Sequence, residues 1–187
     1  DRKLAAAVVR LLLAAFKFPD AQVRCTSVDG YKLPAGIAVQ KRLQTEVHHS
    51  KALVALVTPH ALKSLNFLME VGGRWGSGRP LLPIFGVGAT SRDLNDWLRD
   101  YNGVHVESQN EMLQFVQNLG RVLKRRPEAP AAYLGAVRQC AAISRAAKQQ
   151  YLRQHGQPAE SAQRQLEGEM KTEDAAPAMG EAYAAFS

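Results

Sequence analysis

Apolar residues along this chain fall into two rhythms. Leu4, Val8, Leu11, Leu12 and Ala15 recur at helical spacing behind Asp1, a residue type that caps helices, so the chain should open on an amphipathic helix ending near Phe16. Val23-Arg24-Cys25-Thr26 reads as a short strand, and the loop through Gly36 leads to a helix from about Ile37 to His49. Leu53-Val54-Ala55-Leu56-Val57-Thr58 is a continuous apolar run of the kind a sheet interior requires, and Pro59 ends it. A helix carrying Glu70 follows and stops between Gly76 and Gly78. Leu65, Leu68, Met69 and Gly72 fall at i, i+3, i+4 and i+7 on it and should form its buried stripe. Leu81-Leu82-Pro83-Ile84-Phe85 is the next strand, with Pro83 placing it at an edge or strand end. A short helix at 93–100, a strand at Val104-His105-Val106 and a helix at 109–124 complete an alternating pattern, that of a parallel sheet covered on both faces.

The pattern weakens after Lys124. Two prolines bound a hinge at 125–130; residues 131–154 form a helix with one apolar face at Tyr133, Leu134, Val137, Ala141 and Ser144, expected to pack on the domain or on a partner. From His155 onward the chain is rich in Ala, Glu, Gln and Gly, and is expected to be disordered or ordered by a partner. The domain proper is therefore 1–124, followed by the hinge, a helical extension and a tail. A doubly wound sheet also needs a central strand before its first helix, and that strand is expected to precede Asp1 or to come from elsewhere.

Composition narrows the class. With 187 residues and 46% hydrophobic side chains the chain can bury an ordinary core, so a globular protein is expected. Its apolar runs are shorter than the roughly 18 residues of a membrane span, and Arg10 interrupts the longest, Leu4 to Phe16. Arg2 and Lys3 before that run suit the opening of a secretory signal, but no small-residue cleavage site follows. Cys25 and Cys140 lie too far apart for a metal spacing, and reduced thiols in a cytoplasmic protein are expected. The net charge of +7 is scattered without aromatic interleaving, which argues against direct nucleic-acid binding. Arg121, Lys124, Arg125 and Arg126 cluster where a helix ends and its dipole favours cations.

Taken alone, Glu70 reads as a solvated surface carboxylate. Its surroundings change that. Ser64, Phe67, Glu70, Val71, Gly72, Gly73 and Trp75, preceded by the turn-rich loop Asp29-Gly30-Tyr31-Lys32-Leu33-Pro34-Ala35-Gly36, resemble the glutamate-bearing helix and the loop after the second strand of bacterial Toll/interleukin receptor (TIR) domains. The resemblance covers about residues 1–124. Where the family often carries tryptophan four residues before the glutamate, this chain has Asn66, with Phe67 adjacent.

The resemblance implies a flavodoxin-like doubly wound parallel sheet and an enzyme that cleaves the nicotinamide-ribose bond of NAD, with Glu70 catalytic. Tyr31, Thr58, Ser64, Asn66, Phe67 and Arg74 would bind the substrate. Asp29, Gly30, Tyr31, Lys32, Leu33, Pro34 and Gly36 would form the loop of head-to-tail self-association. NAD enters as substrate, without a metal or other cofactor, and a sensor or activator would engage the C-terminal helix. Such a module fits an anti-phage effector switched on by assembly into oligomers or filaments. Two other readings stay open: a non-catalytic TIR interaction module or virulence mimic, and an enzyme resembling nucleoside deoxyribosyltransferases. His60 at the strand end is a helix-start residue or a base. Gly86-Val87-Gly88 follows a strand but lacks the third glycine of a dinucleotide fingerprint.

Overall fold

A computed structural model describes residues 1–19, 22–25, 27–28, 49–94 and 101–156. The expected loop 29–36, with Tyr31, the helix at 37–49 apart from its last residue, most of the helix at 93–100 and the tail beyond 156 lie outside the described residues.

Helix α1 (Arg2–Phe16) buries Leu4, Ala7, Val8, Leu11, Leu12 and Ala15, and Lys17 closes it in a left-handed conformation, φ 49°, with its N–H on Leu13 O. Strands β1 (Leu53–Val57), β2 (Leu81–Phe85) and β3 (Val104–His105) form a parallel sheet in that order. Helix α2 (Leu65–Gly76) connects β1 to β2, and α3 (Gln109–Leu123) follows β3. Helix α4 (Pro130–His155) starts on a proline, whose missing N–H costs a first turn nothing. The molecule is an α/β protein.

Both faces of the sheet are covered. Ala55, Val57, Leu81 and Phe85 point to one face and pack with Val71 and Phe67 of α2. A Cβ added to Gly86 would point to the other face and meet Leu4 of α1, Val106 and Ser144 of α4.

Pro83 does not put its strand at an edge: β2 lies between β1 and β3. The hydrogen-bond parity explains why it is tolerated. Gly86 N–H donates to Val57 O and Leu53 N–H to Pro80 O, so the even residues of β2 face β1, whereas Phe85 O accepts from Val106 N–H and the odd ones face β3. Pro83 thus lacks its N–H on the β3 side, and β3 pairs only from Ile84 onward. The β1–β2 ladder loses nothing.

The buried stripe of α2 also differs from the expectation. Val71 and Arg74 are buried and Phe67 and Glu70 half-buried, while Leu65 is 70% and Met69 62% exposed. Hydrophobicity alone turns arginine outward. Here the Arg74 side chain is wholly buried because its guanidinium finds carbonyl and hydroxyl acceptors, which rotates the helix toward that side. Val23–Cys25, expected as a strand, pair with no described strand. Among the described residues β1 has a strand only on its β2 side.

The segment expected as a hinge is tied down. Arg125 N–H donates to Gly120 O and Glu128 N–H to Ala15 O at 2.8 Å, with Lys17 Nζ 3.0 Å from the Glu128 carboxylate. Arg125 also lies over the Phe18 ring, 5.2 Å from its centre. Beyond it, Tyr133, Val137, Cys140, Ala141 and Ser144 are buried, so the apolar face of α4 packs on the domain. Residues 1–149 make one compact unit and 150–187 a second. Among the described residues, no helix is long and apolar enough to cross a membrane.

Candidate functional site

Ligands of open α/β sheets bind at the carboxyl ends of the strands. At that end of β1, Thr58 is fully buried, and its hydroxyl works in two directions. It accepts from Ala61 N–H at 3.0 Å, starting the 3₁₀ turn Ala61–Lys63, and donates to Asp1 Oδ2 at 2.6 Å. His60 Nδ1 lies 3.4 Å from the same carboxylate oxygen, with its side chain largely exposed. Asp1 stands at the N-cap position of α1, yet its side chain makes no cap bond, because Thr58 holds it. The positive end of the helix dipole still favours the charge there.

Ser64 begins α2: its Oγ accepts the Phe67 N–H at 3.4 Å, an N-cap, while its backbone is extended. Asn66 is exposed. Phe67 lines a small apolar cavity with Ala55, Val57, Val71, Pro83 and Leu94. One turn further, Glu70 shares the inward side of the helix with Phe67, Val71 and Arg74.

Burial holds the Glu70 carboxyl above the usual carboxylate range, since low dielectric disfavours the charged form. Among the described residues, no hydrogen bond or ion pair reaches it. Cys25 is its electrostatic neighbour. Burial pushes that thiol up, the N–H groups of Ser27 and Val28 pull it partly back, and the Glu70 charge raises it further. Both cysteines are free, and burial lifts Cys140, on α4, to about 11.

Arg74 has a structural task. Its Nε donates to Pro80 O at 3.1 Å, and its terminal nitrogens to Ser50 Oγ at 3.3 Å and Ser50 O at 2.9 Å. It ties the end of α2 to the residues that enter β1 and β2. Among the described residues, no three His, Cys, Asp or Glu side chains converge as a metal site.

The structure thus brings Thr58 together with Asp1 and His60, and Glu70 with Phe67 and Cys25. Tyr31 and the rest of its loop lie outside the described residues. Sequence reading did not find the Thr58–Asp1 contact or the nearness of Cys25 to Glu70. Each joins residues more than 40 positions apart, and no local spacing carries that signal.

What the arrangement can do is limited and definite. A half-buried carboxylate free of a described cation can stabilise a positive charge arriving beside it, and the polar groups at the end of β1 can accept or donate to hydroxyls. No family model matches the chain, and no curated protein matches it.

Proposed function

We propose that this chain is an NAD glycohydrolase with a TIR-type fold, its described sheet forming part of a flavodoxin-like doubly wound one. The observation that carries the reading is Glu70: a carboxylate on the inward side of α2, kept above its ordinary pKa by burial and unpaired among the described residues. Carboxylates held at such a cost to stability concentrate at functional sites.

In the proposed reaction the bond between the ribose C1′ and the pyridinium nitrogen breaks. The bonding pair leaves with nicotinamide and neutralises the ring charge, so no general acid is needed. The ribosyl group passes through an oxocarbenium-like state, which the ionised Glu70 stabilises. Water then adds to C1′ and releases a proton, giving ADP-ribose; capture by an adenine nitrogen of the same molecule gives a cyclic form. Phe67 offers an aromatic edge beside the carboxylate, and Thr58 fixes the polar end of β1. Arg74 serves through the position of α2. Residues Asp29–Gly36 are the proposed self-association loop, and an activator would engage the outward side of α4 or the residues after it.

The test is nicotinamide release, followed by chromatography, from NAD incubated with dilute and concentrated protein, with Glu70→Ala in parallel. The reading expects release that rises more than proportionally with protein concentration and disappears in the variant. Release unaffected by Glu70→Ala would overturn it.

One observation favours a second reading, a TIR-like interaction module. Leu65 and Met69 lie one turn apart on the outward side of α2, both largely exposed. An apolar pair placed so suits protein contact more than chemistry. Absence of nicotinamide release at every concentration, from folded protein that self-associates, would favour that reading.

A further inference from the structure

The loop that leaves β2 holds a strained residue that the proposed chemistry does not use. Gly86, Val87, Gly88 and Ala89 form a tight turn closed by Ala89 N–H on Gly86 O at 3.1 Å. Both central residues have positive φ, 58° at Val87 and 84° at Gly88. That arrangement favours Asn-Gly, because both central positions are left-handed. Glycine adopts it freely. For a β-branched valine it is a steric outlier, which persists only where the surroundings over-determine it.

The surroundings come from α4. Val87 is buried, and its N–H donates to Ser144 Oγ at 2.7 Å across 57 residues of sequence. Ser144 is itself fully buried and donates its proton to Glu107 Oε1, which leaves an oxygen lone pair fixed toward Val87. The next residue, Arg145, donates to Glu107 O at 3.1 Å. One turn on, the aliphatic chain of Lys148 lies along Gly88, where an added Cβ would meet its Cε at 3.2 Å. On the face it shares with Ser144, Gly86 also abuts Leu4: an added Cβ would come within 2.9 Å of Cδ2. The turn therefore rests against both α1 and α4.

We propose that Ser144 is a latch that keeps this turn loaded, so that α4 sets the backbone conformation at the carboxyl end of β2. With the hydroxyl withdrawn, Val87 returns to negative φ, the Gly86–Ala89 closure opens, and the rim of the sheet changes shape. An event that shifts α4 thereby reaches the edge where open α/β sheets bind ligands. The device stands whether or not the chain cleaves NAD.

Amide hydrogen exchange by NMR on the full chain tests it, comparing wild type, Ser144→Ala, Val87→Gly and the double variant. Ala89 N–H, which closes the turn, is the reporter, and Val116 and Leu119 in α3 report the core. Ser144→Ala should speed exchange at Ala89 about tenfold or more beyond any change at Val116 and Leu119. In the Val87→Gly background the same substitution should change Ala89 by less than about twofold, since glycine holds the turn unaided. Equal acceleration in both backgrounds would mean an unstrained turn and overturn the latch, as would acceleration spread evenly over the core. Val87→Gly alone, with the latch intact, should leave Ala89 protected. A loss of about tenfold there would show that the valine side chain holds the turn, and would equally overturn the proposal.

Discussion

Glu70 and Glu111 are carboxylates moved in opposite directions by their surroundings, and each makes a different demand on pH. At Glu70 burial raises the folded-state pKa, so the protonated form is the one the fold favours. Its contribution to stability is fully present below the ordinary glutamate value of about 4.3 and is lost as pH rises through the elevated folded value. Glu70→Gln should therefore raise the melting temperature at pH 7, and the gain should vanish in melts below about pH 4. On the glycohydrolase reading the same substitution abolishes nicotinamide release, the usual opposition of function and stability. At Glu111 burial alone would raise the pKa, but the His105 N–H, the His105 ring and Ser108 outweigh it and hold the carboxyl below its ordinary range. This contribution is present above about pH 4.3 and lost as pH falls through the lowered folded value. Melts of Glu111→Gln should lie below wild type at pH 7 and converge with it in acid.

Local sequence specifies the elements unevenly, and α2 shows why. Its position between β1 and β2 was legible, because a continuous apolar run, a proline and a glycine cluster bracket it. Its rotation was not. A stripe of Leu65, Leu68, Met69 and Gly72 fits a helical period, and nothing local reveals that Arg74 finds Pro80 O and both Ser50 oxygens. The arginine side lies inward, carrying Glu70 and Phe67 with it. Arg74→Met keeps much of the volume but takes the guanidinium donors from Pro80 O and both Ser50 oxygens, untying the end of α2 from the residues that enter β1 and β2. Urea unfolding should show a loss of about 2–4 kcal/mol. Lys63→Met, at an exposed position of the neighbouring turn, should stay within about 0.5 kcal/mol. Pro83 teaches the same lesson: the missing donor was legible, but the side on which it is missing depends on the register with β1 and on where β3 begins.

At the scale of the whole molecule, the alternation of apolar strands with helices was enough to give an α/β chain with a parallel sheet. The role of α4 was not open to sequence reading, since its apolar face at Tyr133, Val137 and Ala141 suits a domain surface as well as a partner. The fold assigns that face to the core of the first compact unit. Val137→Ala should cost about 1–3 kcal/mol in urea unfolding, the range for removing buried methyl groups from a packed site. Shortening the chain to end at Ala129 should yield a protein without a cooperative melting transition, because the surfaces that α4 covers would face water.

The hydrogen bond from Glu128 N–H to Ala15 O joins the first helix to a residue more than a hundred positions later. A ribosome delivers the chain from its amino end at about 5–20 residues per second. Helix α1 therefore waits several seconds before the segment that clasps it emerges. During that interval the apolar side of α1 has no native cover from α4, and the nascent chain is a natural client for chaperones that shield exposed apolar helices.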